Sequence, residues 1–337
     1  MVNLYLECYV IFNLLNDSGK SGRKMLKNRR VEMVEVGPRD GLQNESTIVS
    51  TVDKAELIRR AIAYGVRRIE VTSFVNPRRV PQLADAEELV TMLPERGDVT
   101  YIGLVLNRRG AERALATGRI DELGAVCVTS DSFGIRNQGQ TSDESLAAAM
   151  EIVALAKQAG RGGQITIATA FGCPFEGEVA IDRVVDMAKR AADAMPREIA
   201  LADTIGVGAP AQVADMVGRV REAIGNLPVR VHFHNTRGTG LANVWAAVNA
   251  GAATVDASLG GLGGCPFAPG AAGNVPTEDV VYLLERCGVS TGLALPQVVE
   301  AAAWLTEAMD RPLPAMVSKA PGFPMDFRPF GDQAPKA

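Results

Sequence analysis

Long apolar runs and a strong excess of one charge are both missing from this chain. No stretch approaches the roughly 20 consecutive apolar residues that a membrane-spanning helix needs, so the sequence predicts no membrane partner. The 337 residues carry a formal net charge of −4, which argues against a nucleic acid or an anionic membrane surface as partner. The hydrophobic fraction of 47% and the charged fraction of 22% are ordinary for a soluble globular protein.

Cysteine is sparse and shows no pairing pattern. The five cysteines are scattered without a C-x-x-C pair, and their number is odd. This distribution argues against a disulfide framework and fits a reducing cytoplasm, where we expect the protein to reside. A role for any one of these cysteines is therefore expected to be chemical rather than structural.

Histidine is scarcer still, since the chain contains only His232 and His234, both in the segment VRVHFHNTRGTG at 229–240. VRVHFH has the β-branched and aromatic content of a strand, and a Gly-containing turn follows it. Residues i and i+2 of a strand point to the same face, so both imidazoles would project side by side at its C-terminal end. Such a pair is a ready chelate for a divalent metal, although H-x-H pairs also occur by chance and a chelate needs further ligands.

A regular alternation begins at residue 31, where short β-branched apolar runs are followed by amphipathic stretches of helical period. Eight strand candidates begin at residues 31, 67, 99, 123, 164, 198, 229 and 253. Eight strands alternating with helices over roughly 260 residues match the usual size of a (β/α)₈ TIM barrel. A doubly wound open sheet is the rival fold, but no G-x-G-x-x-G follows the first strand. We therefore predict an α/β fold of the TIM-barrel type.

The two ends of the chain differ from this central region. Residues 1–28 are expected to be a poorly ordered N-terminal extension, with Met25 as an alternative initiator. Residues 29–310 are predicted to be the barrel catalytic domain, with two extra C-terminal helices over TEDVVYLLERCG and PQVVEAAAWLTEAM. Residues 311–337 form a proline-rich, irregular tail that should be extended and either packed along the barrel or loose.

The polar residues at the predicted strand ends form a candidate site, because barrel active sites lie at the C-terminal ends of the strands. Asp40 with the two histidines would offer a carboxylate and two imidazoles, and Asn274 could add an amide oxygen. Nitrogen and oxygen ligands without thiolate suit Mg²⁺ or Mn²⁺ better than structural zinc. The other polar residues at these ends are Arg39, Glu70, Asp203, Cys265 and Glu278.

The segment GGLGGCPFAPGAAG at 260–273 contains six glycines and two prolines, which predicts a long irregular loop. Glycine-rich ends make hinges, so the loop could act as a lid that carries Cys265 in and out of the site. The alternative is that Cys265 is a small buried hydrophobe, as free cysteines usually are. Its place in a flexible, polar-rimmed loop favours a chemical role.

Six motifs spread along the chain carry a resemblance: VEVGPRDGLQNE, IEVTSFVNPRRVPQLAD, FGCPFEGEV, LADTIGVGAP, HFHNTRGTGLAN and GGLGGCPFAPGAAGNVPTEDVVYLLE. Through them the chain resembles the 3-hydroxy-3-methylglutaryl-CoA lyase family from about residue 31 to 310. The resemblance implies a metal-dependent TIM barrel of the lyase and Claisen-condensation superfamily, acting on a small-molecule acyl-CoA. It also implies cleavage of 3-hydroxy-3-methylglutaryl-CoA to acetyl-CoA and acetoacetate.

Matching these motifs position by position implies a role for each candidate residue. The implied metal ligands are Asp40, His232, His234 and Asn274, and the implied substrate-binding residues are Arg39 and Asn274. Cys265 would be the acid on the mobile loop, and Asp40 or His232 would take the substrate proton. Glu70 would orient Arg39, and Asp203 and Glu278 match supporting acidic positions. Exposed barrel helices favour a homodimer, although the sequence leaves the oligomeric state open.

Alternatives to this substrate and reaction remain. Animal-type members carry an HCHDTYGQ-like run, where this chain has Asn235 in place of an acid and Arg237 in place of a tyrosine. The added positive charge could favour another 3-branched glutaryl-CoA or citramalyl-CoA. An acyl-CoA-condensing transferase of the same superfamily shares the R-D and H-x-H features but differs in the cysteine loop. A catalytically silent barrel would be expected to have lost some of the ligand positions.

Overall fold

The computed structural model describes residues 29–95, 97–265 and 268–322, and eight parallel strands in this part of the chain close into a barrel. Each strand pairs with the next one in sequence, and the last pairs with the first, with Val34 opposite Asp256. The predicted TIM barrel is therefore confirmed. The strands, labelled β1 to β8, are Glu32–Glu35, Arg68–Ser73, Thr100–Val105, Glu122–Val128, Gly162–Ala168, Ile199–Asp203, Val229–Phe233 and Thr254–Ala257.

Helices cover the outside of the barrel, and the two extra C-terminal helices are present as predicted. They are labelled α1 to α10 in chain order: Thr51–Ala63, Ala86–Thr91, Arg108–Ala116, Asp131–Gln138, Ser142–Gln158, Ile181–Ala192, Pro210–Ile224, Gly240–Ala250, Thr277–Arg286 and Leu295–Ala308. Local sequence signals fix several of their ends. Thr141 and Glu144 form a capping box at the start of α5, and Gly251 adopts a φ of 110° directly after α8.

The apolar core lies mainly between the barrel strands and the helices around them, as β-strand alternation requires. Inside the barrel a small apolar cluster is formed by Val34, Val36 and Ile102. Two arginines are also fully buried, Arg68 on β2 and Arg230 on β7, each 1% exposed. Buried charges require partners, and Arg68 finds them in Glu122 at 2.6 Å and Glu198 at 2.8 Å.

Both ends of the described chain pack against the barrel. Arg29–Arg30 forms a short parallel pair with Val289–Ser290, outside the barrel sheet. After α10, Leu313 and Ala315 are buried, and the Ala315 N–H donates to the Gly260 carbonyl at 3.1 Å. The predicted extension at 1–28 and the tail beyond residue 322 lie outside the described residues. Among the helices described, none is long and apolar enough to cross a membrane.

Candidate active site and metal centre

A tight helical turn at the end of β1 presents the first two site residues. The turn spans Gly37–Gly41, with Pro38 as its second residue. The backbone N–H groups of Arg39 and Asp40 both donate to the Val36 carbonyl, at 3.1 and 2.8 Å. Glu35 accepts the Gly37 N–H at 2.8 Å. These bonds fix the turn at the C-terminal mouth of the barrel, where barrel active sites lie.

The histidine pair lies opposite this turn. His232 is in β7 and His234 follows it, with their ring centroids 5.2 Å apart. The Nε2 atoms of His232 and His234 lie 3.8 and 3.7 Å from Asp40 Oδ2. One ligand atom from each of these three residues falls within 4.8 Å of the others, a spacing that could hold a metal ion.

The hydrogen bonding of His232 fits metal binding. Its Nδ1 lies 3.1 Å from Asp256 Oδ2 on β8, so the ring proton is held at Nδ1. The Nε2 lone pair is then free to bind a metal on the Asp40 side. A carboxylate behind a ligating imidazole is the usual device for fixing its tautomer. The donor set of one carboxylate and two imidazoles suits a hard or borderline divalent ion.

Asn274 lies at the same carboxylate. It forms an isolated antiparallel bridge with His234. Its Nδ2 donates to Asp40 Oδ2 at 2.8 Å and to the Leu262 carbonyl at 3.2 Å. The contact with Asp40 is made through the amide nitrogen, so a role as metal ligand through Oδ1 stays a prediction.

The Arg39 guanidinium lies between two carboxylates. Its Nε donates to Glu70 Oε1 in a short contact, and its Nη1 donates to Asp40 Oδ1 at 2.6 Å. Burial alone would raise the pKa of Asp40, but Arg39 and then the two histidines outweigh it and hold this pKa well below the ordinary value. Asp40 is therefore an anion at neutral pH, as a ligand must be.

Asp203 and Glu278 support backbone segments at this end of the barrel. Asp203, the last residue of β6, accepts the N–H groups of Val207 and Gly208, each at 2.9 Å, and burial raises its pKa. Glu278, in the first turn of α9, accepts the Gly260 N–H at 3.0 Å, and burial raises its pKa to about 7. Each carboxylate thus holds a turn that borders the site.

The Cys265 loop is more regular than expected. Instead of a loop without secondary structure, Gly264–Cys265 pairs antiparallel with Ala268–Ala272, with a register irregularity between the first two residues. The prediction of an irregular loop was therefore wrong for these residues, because a hairpin satisfies backbone groups that a glycine-rich sequence cannot satisfy with side chains. The Cys265 side chain lies outside the described part of the structure.

Sequence reasoning missed the buried ion pair beneath the histidines. Arg230 Nε donates to Asp256 Oδ1 at 2.5 Å, and both side chains are almost fully buried. Burial raises the pKa of Asp256, but Arg230 and then His232 reverse this, so the pKa lies below the ordinary value. A signal was available, because Arg230 and His232 lie two residues apart in β7 and so share a face.

Arg237, which stands in place of a tyrosine of animal-type members, also has a defined structural role. Its Nη1 donates to the carbonyls of Ile205 and Gly206, at 2.8 and 3.0 Å. These residues belong to the turn that follows Asp203. The guanidinium therefore fastens the turn after β6 to the turn after the histidines.

Comparison with known proteins identifies the family of this chain. The HMGL-like family model matches residues 30–305. An (R)-citramalyl-CoA lyase of Chloroflexus aurantiacus is 43% identical over 300 residues, which cover 86% of this chain and 94% of that protein. A hydroxymethylglutaryl-CoA lyase of Bacillus subtilis is 39% identical over 287 residues, which cover 85% of this chain and 96% of that protein.

A solved structure also matches this chain over most of its length. An HMG-CoA lyase from Acinetobacter baumannii, in complex with coenzyme A and 3-methylmalate, superimposes with a TM-score of 0.83 at 40% identity. The match covers 89% of this chain and 97% of that one. With a family match across most of the sequence, and relatives of 39% and 43% identity over nearly their whole length, the chain belongs to the HMGL-like lyase family.

Proposed function

We propose that the protein is a divalent-metal-dependent lyase that cleaves 3-hydroxy-3-methylglutaryl-CoA into acetyl-CoA and acetoacetate. The observation that carries the proposal is the convergence of Asp40, His232 and His234 on one point, with the Arg39 guanidinium hydrogen-bonded to the same carboxylate. Family membership and the coenzyme A bound to an HMG-CoA lyase of similar fold support an acyl-CoA substrate.

The reaction needs a base, a site for negative charge and an acid. The substrate hydroxyl loses its proton as its carbon becomes a ketone, and the bond between C2 and C3 breaks. The electron pair of that bond passes to the departing fragment, which is the enolate of acetyl-CoA. That enolate then takes a proton on carbon. A divalent ion at this site would act as a Lewis acid, lowering the pKa of the hydroxyl and orienting it.

The residues of the chain fit these tasks. Asp40 would accept the hydroxyl proton at hydrogen-bond distance, because His232 would use Nε2 for the metal and already carries a proton on Nδ1. Arg39, always charged and aimed by Glu70, would stabilise the enolate oxygen. Cys265, on the hairpin at the mouth, would protonate the enolate carbon once water is excluded.

Citramalyl-CoA is the second candidate substrate, and a specific observation favours it. The relative with 43% identity is an (R)-citramalyl-CoA lyase. Citramalyl-CoA lacks one methylene of the acid arm of 3-hydroxy-3-methylglutaryl-CoA, and its cleavage would release pyruvate instead of acetoacetate. Arg237 stands where animal-type members have a tyrosine, so a change of acyl preference is chemically reasonable.

A direct assay separates the two. Metal-stripped protein is given each acyl-CoA, with and without Mg²⁺ or Mn²⁺, and acetoacetate and pyruvate are measured. Metal-restored acetoacetate supports the first substrate, and metal-restored pyruvate alone supports the second. Absence of product from both substrates with every metal would contradict the proposal. A separate assay mixes acetyl-CoA with a 2-oxo acid, and release of free CoA in it would favour the condensing transferase.

A further inference from the structure

Arg230 occupies a central position inside the barrel that the proposed chemistry does not use. It lies on β7, two residues before His232, and is 1% exposed. Its guanidinium is surrounded by three carboxylates: Asp256 at 2.5 Å from Nε, Glu70 at 3.6 Å from Nη2 and Glu198 at 3.6 Å from Nη1. A buried arginine so placed neutralises several anions at once.

Two of these carboxylates, Asp256 and Glu70, also form a hydrogen bond with a residue of the candidate site. The second oxygen of Asp256 meets His232 Nδ1 at 3.1 Å. The second oxygen of Glu70 accepts from Arg39 Nε. One guanidinium thus contacts both the carboxylate behind a candidate metal ligand and the carboxylate behind the candidate substrate arginine.

We propose that Arg230 is a positioning residue that couples the metal half of the site to the substrate half. The inference rests on the proposed function for the roles of His232 and Arg39. The planar guanidinium presents several fixed donors, so the directions of Asp256 and Glu70 are set relative to each other. Without it, neighbouring buried anions repel and rotate, and the His232 ring and the Arg39 side chain both lose their orientation.

Arg68 provides a matched control. It is buried to the same degree and contacts Glu32, Glu122 and Glu198. Its ion pairs do not include Asp256 or Glu70 among the described residues. Loss of Arg68 should therefore cost stability through unpaired carboxylates while leaving the orientation of His232 intact.

The experiment compares Arg230→Met and Arg230→Lys with Arg68→Met and Arg68→Lys, all as full-length, metal-stripped protein. Titration with Mn²⁺ alone, followed by calorimetry, gives the metal affinity. Loss of a partner behind a metal ligand typically weakens binding by about 10–100-fold, and we expect a loss of this size at position 230 only. For an active enzyme, kcat should fall more than KM rises, because the perturbed groups act in the transition state.

Nitrogen NMR gives a second readout that needs neither metal nor substrate. Because the chain has two histidines, the imidazole spectrum contains only two rings to assign. At a pH where both rings are neutral, the wild type and the Arg68 variants should show His232 protonated at Nδ1. The Arg230 variants should show a mixture of tautomers.

Some outcomes would overturn the coupling. One is that Arg230→Met keeps the wild-type Mn²⁺ affinity and the wild-type His232 tautomer. Its melting temperature would then fall only as much as that of Arg68→Met. If Arg230→Met does not fold, Arg230→Lys decides, since its single ammonium cannot bridge both carboxylates. A folded Arg230→Lys protein with unchanged affinity and tautomer refutes the role. Failure of wild-type protein to cleave either acyl-CoA would instead count against the proposed function, because Mn²⁺ binding and the tautomer are measured without substrate.

Discussion

Asn274 donates its side-chain amide to Asp40 Oδ2 at 2.8 Å, joining two residues that are 234 positions apart in sequence. The same oxygen faces His232 and His234, at 3.8 and 3.7 Å from their Nε2 atoms. Residues from the first and the last parts of the barrel therefore surround one carboxylate oxygen. Its removal is the most direct perturbation of the site.

Asp40→Asn should abolish tight metal binding, because an amide replaces the only anion among the three candidate ligands. We expect Mn²⁺ affinity to fall by more than about 100-fold, beyond the effect typical of second-sphere partners. Calorimetric titration with Mn²⁺ measures this without substrate. The surface substitution Asp186→Asn is the control, and wild-type affinity in Asp40→Asn would show that the metal binds elsewhere.

Glu70→Gln should misplace Arg39, because the charged acceptor for its Nε is lost. Misplacement of a catalytic group by about 1 Å can cost on the order of 100-fold in rate. We therefore expect a fall of that order in kcat with a smaller change in KM. Steady-state kinetics tests this against Glu56→Gln, which removes an acceptor from surface arginines. Equal kinetics for the two variants would argue that Arg39 does not depend on Glu70.

Cys265→Ala should remove the proton donor and leave the metal centre unchanged. General acid catalysis contributes about 100- to 10,000-fold, so kcat should fall within this range while Mn²⁺ affinity stays at the wild-type value. Cys287 is free and exposed, which makes Cys287→Ala the matched control. Near-normal turnover in Cys265→Ala would assign the proton to another donor.

Glu278 should make folding stability depend on pH, since burial raises its pKa from an ordinary value of 4.5 to about 7. Between these values the unfolded chain has released the proton and the folded protein retains it. Stability therefore falls as pH rises through this window, by about 3 kcal/mol in all. Glu278→Gln cannot ionise and should gain stability relative to wild type over the same range.

Urea unfolding at a series of pH values measures this gain. The glutamine keeps an acceptor for the Gly260 N–H, so packing at the turn is largely preserved. Glu300→Gln, at an exposed position on α10, is the control for replacing a glutamate by glutamine. A Glu278→Gln difference that is the same at about pH 5 and about pH 8 would contradict the raised pKa.

The barrel could be predicted from the sequence because its signals are local. Runs such as VTYIGLV and QITIATA are short, apolar and β-branched, and each is a strand of the barrel. The H-x-H spacing and the R-D turn fall at strand ends, which places Asp40, His232 and His234 at one mouth in any such barrel. The fold and the centre of the site therefore followed from spacing and chain order.

Strand alternation could place Arg230 on the histidine face, but its carboxylate partner could not be predicted in the same way. Arg230 and Asp256 are 26 residues apart, and a charged residue in a strand is ordinarily interpreted as facing solvent. Only the closure of the barrel shows that the two face each other in its interior. The Cys265 hairpin was missed for a related reason, because its pairing depends on backbone hydrogen bonds and the glycine-rich sequence carries no strand signal.

The pairing of β1 with β8 has a consequence for biosynthesis. Asp40 follows β1 and is translated early, whereas Asn274 follows β8 and is translated late, and these two strands meet only when the ring closes. A chain still emerging from the ribosome therefore displays Asp40 and Arg39 long before the residues that complete the site exist. Such late, long-range closure is slow compared with local folding. The unfinished barrel has an open edge at β1 until the last strand, Thr254–Ala257, is available to pair with it.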